Sequence, residues 1–170
     1  MRRARVHLSI TAAVIIVVIA AACLVLFTRP QCLVLTDGSG HVLAAYPLED
    51  GDIFSVEFIH SVNKTPVRDV FTVAPGTIRA VETVYYGFGA GMEAELTGDE
   101  TLTCDADGAM HITGFDKTFT RLSYVVSPVS GHTLVLRPDT PDARTVSLET
   151  LCGRGKSVTL TVRREFARVR

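Results

Sequence analysis

His60, Asp69 and Glu82 are the residues whose types and spacing could do chemistry here: one imidazole and two carboxylates set among alternating apolar residues. In "FIHSVNKTPVRDVF", Phe58 to Phe71, a four-residue hairpin loop "NKTP" would place Pro66 at a strand start, where its missing N–H is tolerated. Residues facing each other across such a hairpin have numbers with a constant sum. That sets Val62 against Val67, His60 against Asp69, Phe58 against Phe71 and Val56 against Val73. The expectation is a His60–Asp69 pair within an apolar face. In the next strand, "TIRAVETVYY", Glu82 shares a side with Ile78, Ala80, Val84 and Tyr86. A carboxylate there needs a cation or must take up a proton. Beside the hairpin it would flank His60 with a second acid and favour the imidazolium. Such a cluster serves either as a small polar ligand site or as a structural device that fixes strand register.

Catalytic vocabulary beyond this cluster is thin. Ser61 and Lys64 spell S-x-x-K, but that arrangement needs one helical turn, whereas Ser61 ends a strand and Lys64 lies in the loop. His60 and Ser61 are sequence neighbours on a strand and point to opposite faces, so they cannot act as base and nucleophile. The glycines of "GFGAGM", Gly87, Gly89 and Gly91, lack the third spacing of a dinucleotide fingerprint, and no helical pattern follows them. They read as a loop whose backbone can approach a ligand or partner closely. His41, His111 and His132 are scattered without metal-ligand spacing, so neither a metal nor a cofactor is expected.

The elements that must position the cluster read as strands. After Pro30 apolar residues recur at period two, broken by "DGSG", "EDG", "DADG", "VSG" and "RPDTPD". The expected fold is all-β: a single sandwich or partly closed barrel of about ten short strands. Cys32, Cys104 and Cys152 leave one possible disulfide, and Cys32 with Cys152 would join the ends of the domain.

Ahead of that domain, Val6 to Thr28 contains no Asp, Glu, Lys or Arg, a length suited to a transmembrane helix. Arg2, Arg3 and Arg5 precede it, and the positive-inside bias leaves the N-terminus in the cytoplasm and the bulk of the chain outside. The expected organisation is a cytoplasmic N-terminus over 1–5, an uncleaved anchor over 6–28 and an extracytoplasmic β-domain over 30–170. A cleaved signal peptide, cut after Ala20, Ala21 and Ala22, is the rival reading. Beyond Arg29 the chain carries 13 basic and 18 acidic residues, a formal charge of −5 that argues against nucleic acid as a partner.

Taken together, "CLVLTDGSGHVLAAYPLEDGDIFSVEFIHSVNKTPVRDVF" followed by "VETVYYGFGAGM" resembles the bacterial and archaeal family of domain of unknown function 1850. The resemblance rests on His60-Ser61-Val62, on Thr65-Pro66-Val67 with Asp69, on Glu82 and on the loop Phe88-Gly89-Ala90-Gly91. It implies that His60, Ser61, Thr65, Asp69, Glu82, Gly89 and Gly91 form a ligand or partner site. It also implies a single-pass cell-membrane accessory of a tripartite ATP-independent periplasmic (TRAP) transporter of the TAXI type. Such an accessory would meet the permease or the solute-binding protein and could contact a small organic acid. A stand-alone ligand-binding or sensing module is the alternative, and an enzyme built on the acid–histidine cluster ranks third.

Overall fold

The computed structural model describes residues 14–21, 30–87 and 96–165. The chain divides into two compact units, Met1–Pro30 and Gln31–Arg170. In the first, residues 14–21 are helical, and Val14 through Ile19 each expose more than half of their surface. No helix among the described residues is long and apolar enough to cross a membrane. Most of the expected anchor over 6–28 lies outside the described residues.

The second unit is a two-layered β structure, a sandwich and not a closed barrel. Its strands are β1 (Gln31–Asp37), β2 (Val42–Pro47), β3 (Ile53–Ile59), β4 (Pro66–Ala74), β5 (Thr77–Tyr86) and β6 (Thr101–Cys104). They continue with β7 (Ala109–Thr113), β8 (Thr118–Phe119), β9 (Leu122–Val125), β10 (Thr133–Leu136), β11 (Arg144–Ser147) and β12 (Ser157–Arg164). The small sheet has the order β2-β1-β12-β9 and the large one β11-β10-β3-β4-β5-β7-β6, with β8 on β5. A short helix, Leu148–Cys152, follows β11; the Ser147 side chain accepts from the Thr150 N–H and caps it.

Alternation explains the layers. Leu33, Leu35 and Tyr46 of the small sheet, with Val158, Leu160 and Val162, face Phe54, Val56, Phe71, Val73, Leu134 and Leu136 of the large one. Phe54 and Phe71 stack at 5.3 Å between centroids. A second cluster of Val67, Tyr85, Met110 and Ile112 fills the sandwich side of β4, β5 and β7. Between the two, β5 carries one residue more than β4, because Glu82 pairs with Val70 but Ala80 with Phe71, so Val81 bulges. On one side of the bulge β5 pairs with β8 through Ile78 and Arg79, and on the other with β7 from Glu82 to Tyr86. The bulge thus sits where one strand changes partners.

The expected Cys32–Cys152 disulfide is corrected. Leu33 and Leu35 of β1 face the sandwich interior, so Cys32 faces away into a separate cluster with Val34 and Ala45. Cys152 packs against the interior core, and its thiol donates to the Leu148 carbonyl. The two cysteines lie on opposite sides of the small sheet. The ends of the domain are joined instead by the β1–β12 ladder, which runs from Gln31↔Arg164 to Asp37↔Val158.

Candidate functional site

The β3–β4 hairpin differs from the expected one in register. Phe58 pairs with Val67, Val56 with Asp69 and Phe54 with Phe71, so each β4 residue meets a partner four positions earlier than expected. His60 therefore lies in the connection and does not face Asp69. Its N–H donates to the Thr65 carbonyl at 2.8 Å and its carbonyl accepts from Lys64 N–H at 2.9 Å, closing a tight turn. Its Nδ1 accepts from the N–H groups of Val62 and Asn63 at 3.3 and 3.2 Å. The imidazole thus serves the local backbone, as Asx-type side chains do in other turns. Ser61 is exposed in the same turn. A shift of four leaves every side chain on its face, so side-chain alternation fits both registers equally.

Asp69 points into the sandwich, where its carboxylate accepts from Thr83 Oγ1 at 3.1 Å and from Tyr124 Oη at 2.9 Å. Tyr124 belongs to β9 of the opposite sheet, so this bond ties the two layers together. Burial pushes the Asp69 carboxyl above its ordinary range, against the pull of both donors. Burial also raises the Tyr124 phenol, reinforced by the neighbouring Asp69 charge. His132 stacks on Phe58 at 4.9 Å, and burial lowers its pKa, which favours the neutral ring. This inner cluster is partly buried between the two layers and reads as a structural tie.

Glu82 takes the other side. Paired with Val70 and Thr113, it projects from the outer face of the large sheet, away from Asp69 and into a partnership with His111. His111 Nδ1 lies 2.8 Å from Glu82 Oε1, and Nε2 lies 3.1 Å from Asp105 Oδ2. The Glu82 hydrogen bond first, and the charges of both acids, hold the His111 pKa above its usual value. Alongside, Glu57 stands directly opposite Arg68 across the ladder, with Arg68 Nε 3.5 Å from Glu57 Oε1. Arg68 Nη2 donates to Asp139 at 3.1 Å, while its buried Nε makes no hydrogen bond.

These charges border a groove of about 630 Å³ on that outer face. Ile59, Pro66, Val84 and Tyr86 supply its apolar surface, and Ser130 and Thr133 stand on its β10 side. The volume is that of a small-molecule site. Both His111 nitrogens are engaged by carboxylates, so the ring offers no open base. Among the described residues no three His, Cys, Asp or Glu side chains are gathered to hold a metal ion.

Of the residues expected to form the site, only Glu82 lines the groove. His60, Ser61 and Thr65 build the turn at the end of β3, Asp69 lies inside the sandwich, and Gly89 and Gly91 fall outside the described residues. Sequence reasoning missed Glu57, Arg68 and His111 as a group. The alternation that sends Arg68 and Glu57 to the face opposite Phe58 was the available signal for two of them.

The family described as Domain of unknown function (DUF1850) matches residues 54–141. The chain belongs to this family. No curated protein and no solved structure matches the chain. The DUF1850 segment runs from β3 through β10 and includes the His60 turn, Asp69, and the groove charges Glu57, Arg68, Glu82 and His111. β1, β2 and β12 of the small sheet lie outside it.

Proposed function

We propose that this protein is a membrane-anchored, extracytoplasmic accessory of a TRAP-type secondary transporter of the TAXI class. It acts by binding, and the outer-face groove is where it meets the permease, the solute-binding protein or the transported solute. The observation that carries the reading is the groove itself: about 630 Å³ of open space bounded by apolar side chains and by charges of both signs. That composition suits recognition of a polar ligand or partner. Binding fits better than catalysis because His111 is fully occupied by Glu82 and Asp105. Anchoring is supported by the run of exposed Val and Ile side chains over residues 14–19, and orientation by Arg2, Arg3 and Arg5.

Purification of the full chain from its native membrane in mild detergent, with mass spectrometry of what accompanies it, tests the accessory role. Recovery of a many-spanning permease is the expected outcome, and reproducible recovery of the protein alone, even after crosslinking, would remove the accessory role. A stand-alone binding module is the second reading. It is favoured by the size of the groove and predicts ligand-dependent thermal stabilisation of the purified chain without any permease.

A further inference from the structure

The charges around the groove are arranged, not merely mixed. Arg68 occupies the middle of the outer face, with the Glu57 carboxylate directly across one ladder and Val84 across the other. Glu82 lies two residues from Val84 on the same side of β5, which makes it the diagonal neighbour of Arg68, about 7–8 Å away by strand geometry. The cation is thus flanked by two carboxylates, with Val84 and Tyr86 alongside.

Several donors and acceptors in this row remain open. Arg68 commits Nη2 to the exposed Asp139 and sets its buried Nε 3.5 Å from Glu57 Oε1, while Nη1 carries no hydrogen bond among the described residues and is not buried. Glu57 uses Oε1 toward Ser55 and Arg68 and Glu82 uses Oε1 toward His111, and Oε2 of each carries no hydrogen bond among the described residues. The guanidinium can therefore still receive an anion, and two carboxylate oxygens can still receive a cation, in adjoining parts of one groove. A guanidinium prefers a planar carboxylate as its anion. An ammonium donates to a carboxylate oxygen beside that guanidinium, as Glu57 offers across the ladder. A ligand with a carboxylate alone would bring its charge up against Glu57 and Glu82. A ligand with an ammonium alone would leave the open Arg68 donors unanswered.

From this geometry we infer that the groove binds a zwitterion, a small molecule carrying a carboxylate for Arg68, an ammonium for the adjoining Glu57 carboxylate, and an apolar body against Val84 and Tyr86. Free amino acids are the simplest such compounds, and the volume admits the larger apolar ones. The inference rests on the groove being a ligand site, and it narrows the solute from organic acids in general to those that also carry a positive charge.

Isothermal titration calorimetry on the full chain in mild detergent tests it. The probes are L-alanine, L-leucine and L-phenylalanine, each with its carboxylate-only and ammonium-only counterpart; for phenylalanine these are 3-phenylpropanoate and 2-phenylethylamine. The expected result is binding of at least one zwitterion, with both counterparts weaker by about tenfold or more, the loss that follows from one unmet charge contact. Arg68→Gln should abolish that binding and Glu57→Gln should weaken it, in proteins whose circular dichroism matches the wild type. The wild-type selectivity itself needs no variant. A carboxylate-only or ammonium-only counterpart that binds as tightly as its zwitterion overturns the inference, and so does silence from all nine compounds. Co-purification of a permease is indifferent to these outcomes, so loss of the accessory role and loss of the zwitterion site are separable.

Discussion

At the scale of single residues, two ionisable groups carry the same sign of pH dependence, each lowering stability as pH rises, one by losing a favourable contact and the other by acquiring a buried charge. His111 is raised, chiefly by its hydrogen bond to Glu82, so its contribution to stability is complete below the unfolded value near 6.5 and disappears as pH rises through the folded one. Glu82→Gln removes the main cause. His111 in that variant should titrate at lower pH in an NMR experiment, and an unchanged midpoint would mean that Asp105 holds the ring unaided. Asp69 is a carboxylate raised by burial, so its ionised form opposes folding at neutral pH, and protonation relieves that as pH falls toward the unfolded value of 3.8. Asp69→Asn should therefore melt no lower than the wild type at pH 7.5, with any gap narrowing on acidification. A variant much less stable at pH 7.5 would show that the charged bond to Tyr124 outweighs burial. Neither partnership was legible in the sequence. Glu82–His111 joins residues 29 apart through β7, and Asp69–Tyr124 crosses between sheets, so both depend on topology that alternation does not encode.

Elements were read more readily than their pairing. The run "TIRAVETVYY" is β5 to the residue, and "SVTLTVRR" is β12, because period-two alternation bounded by turns marks a strand wherever it lies. The β3–β4 register escaped because Phe, Val and Ile recur often enough to match four residues out of step, and the turn is held by His60 Nδ1 accepting from the N–H groups of Val62 and Asn63. The short helix at Leu148–Cys152 escaped because five residues show no period. His60→Ala should cost about 1 kcal/mol in chemical denaturation, the scale of a lost side-chain hydrogen bond in a turn. Combined with Asp69→Asn it should be additive within about 0.5 kcal/mol, as for residues that share no contact. Strong coupling would restore the His60–Asp69 pair. Gly114, just beyond β7, has φ +79°, and a Cβ there would collide with the Asp99 carbonyl oxygen. Gly114→Ala should lower stability by about 2 kcal/mol or more, combining left-handed strain with the clash; a neutral result would mean that the 96–100 segment yields freely.

For the whole molecule, the sandwich places its polar residues in two separate settings. The inner setting, Asp69, Thr83 and Tyr124, binds the sheets to each other. The outer setting, Glu57, Arg68, Glu82 and His111, is open to whatever the protein meets. The proposed transporter contact falls on that outer face. The most direct test puts a photo-crosslinking amino acid at Thr133, on the groove, and separately at the exposed Lys156, in the turn before β12. Irradiation of intact cells should give an adduct with a transporter subunit from position 133 and none from position 156. Equal adducts from both positions, or none from 133 in a protein that is folded and exported, would contradict the groove as the point of contact.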